Sequence, residues 1–444
     1  MGILELKWMD LWFYCIWAMI IVGNGKCQNA TTTKSMDSLG ITKIGSSVDT
    51  VTPRIPVFFG STVGVSIQDG NSTVSNPTSP SMTSSTVGGS STTTSSDAAD
   101  EILFVAATWR HGERYPVEFF PGDINTAEDF PEGEITLNGM DQLFELGLQL
   151  RSRYVDSMGF VSSRYDPGEI HVRSTDVNRT LISAQSVLAG LYSSESLPGA
   201  DYPSVTGWPE GFVPVPIHVN PLEDEILIPF YSNCSRKDQL WEILESTSFY
   251  SNFINESMPF IDEINNHTGL DYGIFEALGV IDTVTVESTL GLPTVSWAIP
   301  YLEDFSRIFA TYMGSLMGFG DLADHPGPDL DLEKELSVIL SGSILNFFID
   351  KFIFRLKCEN STENYCITVK KQKFFGFSGH DITLMALFKG FGFNKTNIFE
   401  NKIPKFGSPD PGDPDRPRTP LGVSPVKVRN RFYFEISFRN PAES

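Results

Sequence analysis

Three segments of the chain repeat one pattern of hydrophobic and polar positions, in which an apolar run is followed by a polar loop and then by an amphipathic stretch. The continuous apolar run lies at residues 102–107, and the other two strands are predicted at residues 170–173 and 374–377. Continuous apolar runs are typical of strands buried in a parallel sheet, and apolar residues at helical spacing predict a helix after each strand. The pattern predicts an α/β fold with a mainly parallel central sheet flanked by helices. Ser174 and Thr175 are the predicted caps of the second helix.

Two further stretches predict helices. Residues 135–155 are amphipathic, with Leu137 and Leu150 on or near one face. From about 221 to 335 the pattern is less regular and richer in aromatic residues, and it predicts mostly helix. We interpret this region as a smaller, mostly helical cap insertion within a domain of residues 101–444.

The start of the chain predicts a targeting segment and a linker. Twelve apolar residues from 11 to 22 have the length of the apolar part of a signal peptide and are few for a membrane span. Residues 1–25 are therefore predicted to be a signal peptide, with an uncleaved signal anchor as the alternative. Residues 26–100 are predicted to be a disordered, glycosylated linker, because Ser and Thr fill 17 of the 26 positions from 71 to 96 and bury little apolar surface.

Eight N-x-S/T sequons fit a secretory route and are candidate N-glycosylation sites. They are Asn29, Asn71, Asn178, Asn233, Asn255, Asn266, Asn360 and Asn394. The expected localisation is secreted or extracellular. The alternatives are the lysosomal lumen and anchoring in a membrane by the N-terminal segment.

The cysteines fit the same oxidising compartment. Cys358 and Cys366 bracket a short polar segment and are the predicted disulfide. Cys15 lies in the apolar leader. Cys27 and Cys234 have no evident partner in the sequence, so a pairing between them and two free thiols both stay open.

The chain is acidic, with a formal net charge of −23 and 32 basic residues among 444. This balance argues against a nucleic-acid binder, which needs a basic face, and against docking on anionic membranes. No membrane contact is expected unless the leader stays in place as an anchor. Against this background Arg110, His111 and Arg114 stand within five positions. A lone cluster of this kind is usually a solvated turn, so its role depends on residues elsewhere in the chain.

Basic side chains follow all three predicted strands. The carboxyl ends of parallel strands form the ligand crevice of an α/β fold. These segments are therefore expected to form one binding site for a small anion. Guanidinium groups bind phosphate oxygens in pairs, and a neutral imidazole among them can attack phosphorus. A carboxylic acid beside them can protonate the leaving alcohol and then activate water. The set is Arg110, His111 and Arg114 from the first segment, Arg173 from the second, and His380 with Asp381 from the third.

Three motifs resemble those of the histidine acid phosphatases, the group that holds the prostatic and lysosomal acid phosphatases and the phytases. They are "RHGERYP", "IHVRSTDVNRT" and "SGHDITL", and the likeness covers about residues 101–440. The resemblance implies an acid phosphatase that hydrolyses phosphate monoesters through a covalent phosphohistidine, with no cofactor and no metal. It implies His111 as the nucleophile, Asp381 as the proton donor, and phosphate binding by Arg110, Arg114, Arg173 and His380.

The resemblance also sets the expected partners, which are small phosphomonoesters, with phosphoproteins as a further substrate class. No nucleic acid is expected, and a homodimer is left open. The alternative function is a secreted, mucin-like surface or host-interaction glycoprotein that uses the phosphatase fold as a scaffold. A serine hydrolase is a poorer match, because "GFSGH" has His380 where the G-x-S-x-G motif needs its last glycine.

Overall fold

The structure is a computed structural model that describes residues 102–392 without 326 and 328, together with strands at 421–428 and 431–439. The predicted signal peptide (1–25) and the predicted linker (26–100) lie outside the described residues. The same holds for Cys15, Cys27 and the sequons at Asn29, Asn71 and Asn394.

Six strands form one sheet. They are β1 (Ile102–Arg110), β2 (Ile170–Ser174), β3 (Ile217–His218), β4 (Phe374–Gly379), β5 (Leu421–Val428) and β6 (Arg431–Arg439). Their order across the sheet is β3-β2-β4-β1-β6-β5. Strands β3, β2, β4 and β1 are parallel, whereas β6 runs antiparallel to β1 and β5 antiparallel to β6. The predicted α/β fold with a mainly parallel sheet is therefore confirmed.

The three predicted strands all extend beyond their apolar runs. Strand β1 continues to Arg110 and β4 to Gly379, and these two residues lie opposite each other in the register. Polar side chains at the strand ends do not break the sheet, because the neighbouring backbones still supply hydrogen-bond partners. As a result the residues that follow β1 and β4 leave the sheet side by side.

Nine α-helices accompany the sheet within the described residues. They are α1 (Leu137–Arg151), α2 (Asn178–Tyr192), α3 (Ser235–Glu245), α4 (Ser248–Thr268), α5 (Ile274–Leu290), α6 (Leu302–Leu316), α7 (Leu332–Glu359), α8 (Asn364–Lys371) and α9 (Asp381–Gly390). Four of them, α3 to α6, lie within the region 221–335 for which the sequence predicts mostly helix.

Helices α3 to α6 share an apolar core of their own. Leu240, Ile261, Ile281 and Phe305 each lie in it with 0% exposure. Ile382 of α9 belongs to the same core. Because α9 begins directly after β4, this packing holds the helical region beside the carboxyl end of the sheet.

Helices α1 and α2 pack at close range through two glycines. A Cβ atom at Gly190 would lie 2.1 Å from the carbonyl oxygen of Phe144, and one at Gly147 would lie 2.1 Å from that of Val187. Such contacts are far inside van der Waals distance, so a side chain at either position would push the two helices apart.

Two local predictions about the helices are wrong. Leu137 is 83% exposed, because it is the first residue of α1 and precedes the part of the helix that packs on α2. Ser174 and Thr175 do not cap α2, which begins at Asn178 after Val177. The Ser174 hydroxyl donates to the Thr175 carbonyl instead, at 2.8 Å.

The predicted disulfide between Cys358 and Cys366 is present. It joins the last turn of α7 to α8, and both cysteines are buried. In the part of the chain that the structure describes, Cys234 is a buried free cysteine. Its predicted alternative partner, Cys27, lies outside that part.

Helix α7 is long and apolar enough to cross a membrane by length and composition alone, with a mean hydropathy of 1.6 in its most apolar window. Its side chains Leu336, Leu340, Ile344 and Phe348 are buried in the folded domain. A core helix of a folded domain passes the same test, so α7 is weak evidence for a membrane span.

Candidate active site

The ends of β1 and β4 bring two histidines together. The His111 N–H donates to the Gly379 carbonyl at 3.0 Å, and the ring centroids of His111 and His380 lie 5.6 Å apart. Both residues are buried, with exposures of 0% and 3%. Residues from the first and the third predicted segment therefore share one buried site at the carboxyl end of the sheet.

The loop that leaves His111 is fixed against helices α1 and α2. The Gly112 N–H donates to the Ser183 hydroxyl of α2 at 3.0 Å. A Cβ atom at Gly112 would lie 2.2 Å from the carbonyl oxygen of Gly139, and one at Gly139 would lie 2.1 Å from that of Glu113. Only glycine permits so close an approach of two backbones, and the approach leaves the loop little room to move.

The hydrogen bond of the His111 ring defines its tautomer. Its Nδ1 lies 2.8 Å from the Gly112 carbonyl oxygen. A carbonyl oxygen can only accept a hydrogen bond, so Nδ1 carries the proton, and Nε2 of the neutral ring has the lone pair. Because the ring is held from its own loop, the direction of that lone pair is set by the backbone.

Burial and positive charge keep the His111 ring neutral. Burial lowers the pKa of His111 well below its ordinary value, and the charges of Arg110, Arg179 and Arg114 lower it further. Both effects disfavour the imidazolium form. The Nε2 lone pair of His111 is therefore available in acid, where an exposed histidine would be protonated.

His380 stands at the start of α9 and is held by contacts with two threonine hydroxyls. Its ring Nε2 lies 3.0 Å from the Thr175 hydroxyl oxygen. Its backbone N–H donates to the Thr383 hydroxyl at 3.0 Å, and that hydroxyl in turn donates to the Leu227 carbonyl. Burial lowers the pKa of the His380 ring, and the nearby arginine charges, of which Arg179 is the strongest, lower it further.

Asp381 is the carboxylic acid of the site. It is 2% exposed, its Oδ1 accepts the Ile382 N–H at 2.8 Å, and its Oδ2 lies 3.5 Å from Nε of Arg110. Burial raises the pKa of Asp381, and the charge of Arg110 opposes this rise without cancelling it. A carboxyl group in this state holds its proton to a higher pH than an exposed aspartate.

Arg114 is paired with a carboxylate from the helical region. Its NH2 donates to Oδ1 of Asp282 at 2.8 Å and its NH1 donates to Oδ2 at 3.1 Å. Both side chains are almost fully buried. The site therefore contains residues of β1, β4 and α9 together with one contact from α5.

The two arginines of the second predicted segment have different surroundings. Arg173, the residue that sequence analysis selects, is buried at the end of β2 and forms an ion pair with Glu225. Glu225 Oε1 also accepts the Leu227 N–H at 2.7 Å. Phosphate binding by Arg173 stays a prediction.

Arg179 is the site residue that sequence analysis misses. It lies in the first turn of α2, and its positive charge lowers the pKa of both histidines and of Asp381. Its signal in the sequence is its place at the end of the segment "IHVRSTDVNRT", six residues after Arg173. The charge of Arg179 lowers the pKa of His380 more than the charge of Arg110 or Arg114 does. Arg179 therefore belongs with the positive charges around the histidines.

A pair of carboxyl groups lies between the loop after β1 and α5, with Glu287 buried and Asp123 half-buried. The Asn125 side chain donates to Oε1 of Glu287 at 2.6 Å, and Oδ1 of Asp123 accepts the Ile124 N–H at 2.6 Å. The other two oxygens, Oδ2 of Asp123 and Oε2 of Glu287, are buried with no hydrogen-bond partner among the described residues. A proton shared between these two groups would satisfy both oxygens.

Burial, together with the charge of Asp123, raises the pKa of Glu287 from its ordinary 4.5 to about 8. The folded protein then binds a proton that the unfolded chain releases, so the contribution of Glu287 to the free energy of unfolding falls as the pH rises from 4.5 to about 8. Glu287→Gln keeps the acceptor for Asn125 and supplies an N–H toward Asp123. Because the lowered pKa values of His111 and His380 act in the opposite direction over this range, we expect the difference in melting temperature, variant minus wild type, to increase as the pH rises.

The matched control for this measurement is Glu256→Gln, which changes an exposed carboxylate on α4. Melting temperatures of wild type and both variants are recorded by circular dichroism at each pH. A pH dependence that is the same in Glu287→Gln and in the wild type would contradict the shared proton.

Comparison with known proteins gives the family. The model of the histidine phosphatase superfamily, branch 2, matches residues 101–267. Human lysosomal acid phosphatase is 32% identical over 294 residues, which are 65% of this chain and 62% of that protein. A putative acid phosphatase of Caenorhabditis elegans is 30% identical over 306 residues, which are 65% of this chain and 68% of that protein. The chain belongs to the histidine phosphatase superfamily, branch 2.

The chain covers only part of its relatives. The chain spans about three fifths of the length of the lysosomal acid phosphatases that it matches, 62% for the human protein. Among solved structures, the apo form of Hafnia alvei phytase aligns with a TM-score of 0.45 and 14% identity over 66% of this chain and 76% of that one.

Proposed function

We propose that this protein is an acid phosphatase that hydrolyses phosphate monoesters through a covalent phosphohistidine on His111. The observation that carries the proposal is the state of the His111 ring. It is buried, its Nδ1 is held by the Gly112 carbonyl, and its pKa lies well below the ordinary value. A nucleophile of this kind stays neutral in acid, which an acid phosphatase requires.

In the first step Nε2 of His111 attacks phosphorus, a P–N bond forms and the P–O bond to the alcohol breaks. Asp381 gives its proton to the leaving oxygen, which departs as a neutral alcohol. The charge on the phosphoryl oxygens is stabilised by Arg110, Arg114 and Arg179. Positioning and charge stabilisation supply most of the acceleration in phosphoryl transfer.

In the second step water attacks the phosphohistidine. Asp381, now a carboxylate, takes a proton from that water while the P–N bond breaks and its electron pair returns to Nε2 of His111. Inorganic phosphate leaves and Asp381 is protonated again. Every proton in the cycle is accounted for by this chain and water, so the proposed reaction needs no metal.

The substrate class follows from the site and from the relatives. Basic side chains around one histidine suit a single phosphoryl group, so we propose small phosphomonoesters as substrates and phosphoproteins as a further class. The relatives are named lysosomal and testicular acid phosphatases, which supports a secretory or lysosomal route for this chain. The five sequon asparagines within the described residues, Asn178, Asn233, Asn255, Asn266 and Asn360, are all exposed, as glycosylation would require.

The test is turnover of an alkyl phosphate, whose leaving oxygen needs a proton, by the chain produced through a secretory pathway. We expect activity that is highest in acid, that persists with a chelator present, and that declines toward neutral pH. The reason for the acid optimum is Asp381, which must hold a proton to protonate the leaving group. A folded, soluble protein that releases no phosphate under any of these conditions would refute the proposal.

A further inference from the structure

We propose that Asp282 is a positioning residue that aims the Arg114 guanidinium at the phosphoryl group, an inference that rests on the proposed function. Asp282 lies on α5, and Arg114 lies in the loop after β1, 168 residues earlier in the chain. Asp282 acts through Arg114 and need not touch the substrate.

The contact between the two residues fixes the plane of the guanidinium. Asp282 accepts from both terminal nitrogens of Arg114, at 2.8 and 3.1 Å, and NH1 also donates to the Tyr115 carbonyl at 3.0 Å. Two parallel N–H···O bonds define an orientation that a single bond would leave free. The third bond ties the same nitrogen to the backbone of the loop.

The negative charge of Asp282, as well as its two hydrogen bonds, is needed to hold the Arg114 guanidinium in the site. The side chains of Arg114 and Asp282 are 2% and 3% exposed. A buried guanidinium without a counter-charge would be drawn toward water or would displace its neighbours. Asp282 therefore keeps Arg114 inside the site before a phosphoryl group arrives.

Two more contacts join the same loop to α5 beyond Asp282. The Thr283 hydroxyl donates to the Glu118 carbonyl at 2.7 Å, and the Asn125 side chain donates to Glu287 at 2.6 Å. These contacts set the register between helix and loop, so the Asp282 carboxylate meets Arg114 from a fixed direction. The helical region thereby supplies a residue to the proposed phosphate site at the carboxyl end of the sheet.

The test compares Asp282→Asn with Glu276→Gln, which makes the same chemical change at an exposed position of α5. The carboxamide turns an N–H toward an N–H of Arg114 and removes the counter-charge. A displacement of about 1 Å at a phosphoryl ligand lowers rates by up to about 100-fold. We expect Asp282→Asn to lose about 10- to 100-fold in kcat/KM on an aryl phosphate, and Glu276→Gln to retain wild-type kinetics.

A double-mutant cycle separates positioning from general support. In an Arg114→Ala background Asp282 has nothing to position, so adding Asp282→Asn should change kcat/KM by less than about 2-fold. If the two losses multiply instead, Asp282 acts independently of Arg114 and the inference is wrong. Asp282→Glu, which keeps the buried charge but shifts the guanidinium, serves if Asp282→Asn does not fold, and unchanged kinetics in it would overturn the inference.

Calorimetric binding of inorganic phosphate distinguishes a failure of this inference from a failure of the proposed function. If the wild type binds phosphate but turns over no ester, the function fails, and weaker phosphate binding by Asp282→Asn still supports positioning. Unchanged or tighter phosphate binding by the variant overturns the inference, because Asp282 would then be neutral or a competitor for Arg114. A wild type that binds no phosphate overturns both.

Discussion

His111→Ala is expected to lower kcat on an aryl phosphate by about 10,000-fold or more, because the proposed reaction has no path to a covalent intermediate without Nε2. Alanine also removes the Nδ1–H donor to Gly112, but the backbone bond from His111 to Gly379 is kept. The loop should therefore stay in place while the chemistry is lost. The measurement is steady-state kinetics in acid, with the melting temperature as a check on folding.

The intermediate itself gives a second readout for the same variant. Wild type mixed with a labelled phosphomonoester and quenched in alkali should retain label on protein that acid then releases, as expected for a phosphorus–nitrogen bond. His111→Ala should retain none. The control is His267→Ala, which removes an exposed histidine of α4. Activity above about a tenth of wild type in His111→Ala would contradict the assignment of the nucleophile.

Asp381→Asn is expected to produce a loss that depends on the leaving group. An alkyl phosphate needs a proton on its departing oxygen, so its rate should fall by about 100- to 10,000-fold. A nitrophenyl phosphate has a leaving group that departs without a proton, so the first step should be largely spared. The second step still lacks its base, and nitrophenol should therefore appear as a burst followed by slow turnover.

This prediction is checked by stopped-flow and steady-state kinetics on the two kinds of ester. The matched control is Asp271→Asn, which changes an exposed aspartate just before α5. If Asp381→Asn slowed the release of both leaving groups equally, with no burst, Asp381 would be a structural residue and not the proton donor.

The parallel strands could be predicted from the sequence because their signal is local. Each apolar run is short, continuous and followed at once by polar residues, so residues 102–107 and 374–377 already place Arg110 and His380 at strand ends. The rule that parallel strands end at one edge then brings the two segments together. Nothing in this inference needs knowledge of the rest of the chain.

The residues that sequence analysis missed depend on distant or fine structural detail. Asp282 meets Arg114 only after α5 has packed beside the sheet, and no periodic pattern marks that contact. Arg179 and Arg173 share one short segment, and which of them lies beside the histidines depends on where α2 begins. The helix begins at Asn178 and not at the predicted caps, which places Arg179 in its first turn.

The pairing of Arg173 with Glu225 has a consequence for any alanine scan of this chain. Glu225 holds the Leu227 N–H, the Leu227 carbonyl accepts from Thr383, and Thr383 accepts the backbone N–H of His380. Loss of the Arg173 side chain would thus loosen a chain of hydrogen bonds that ends at His380, in addition to any phosphate contact that Arg173 itself makes. Activity alone would therefore not separate phosphate binding by Arg173 from an effect of Arg173 on the position of His380.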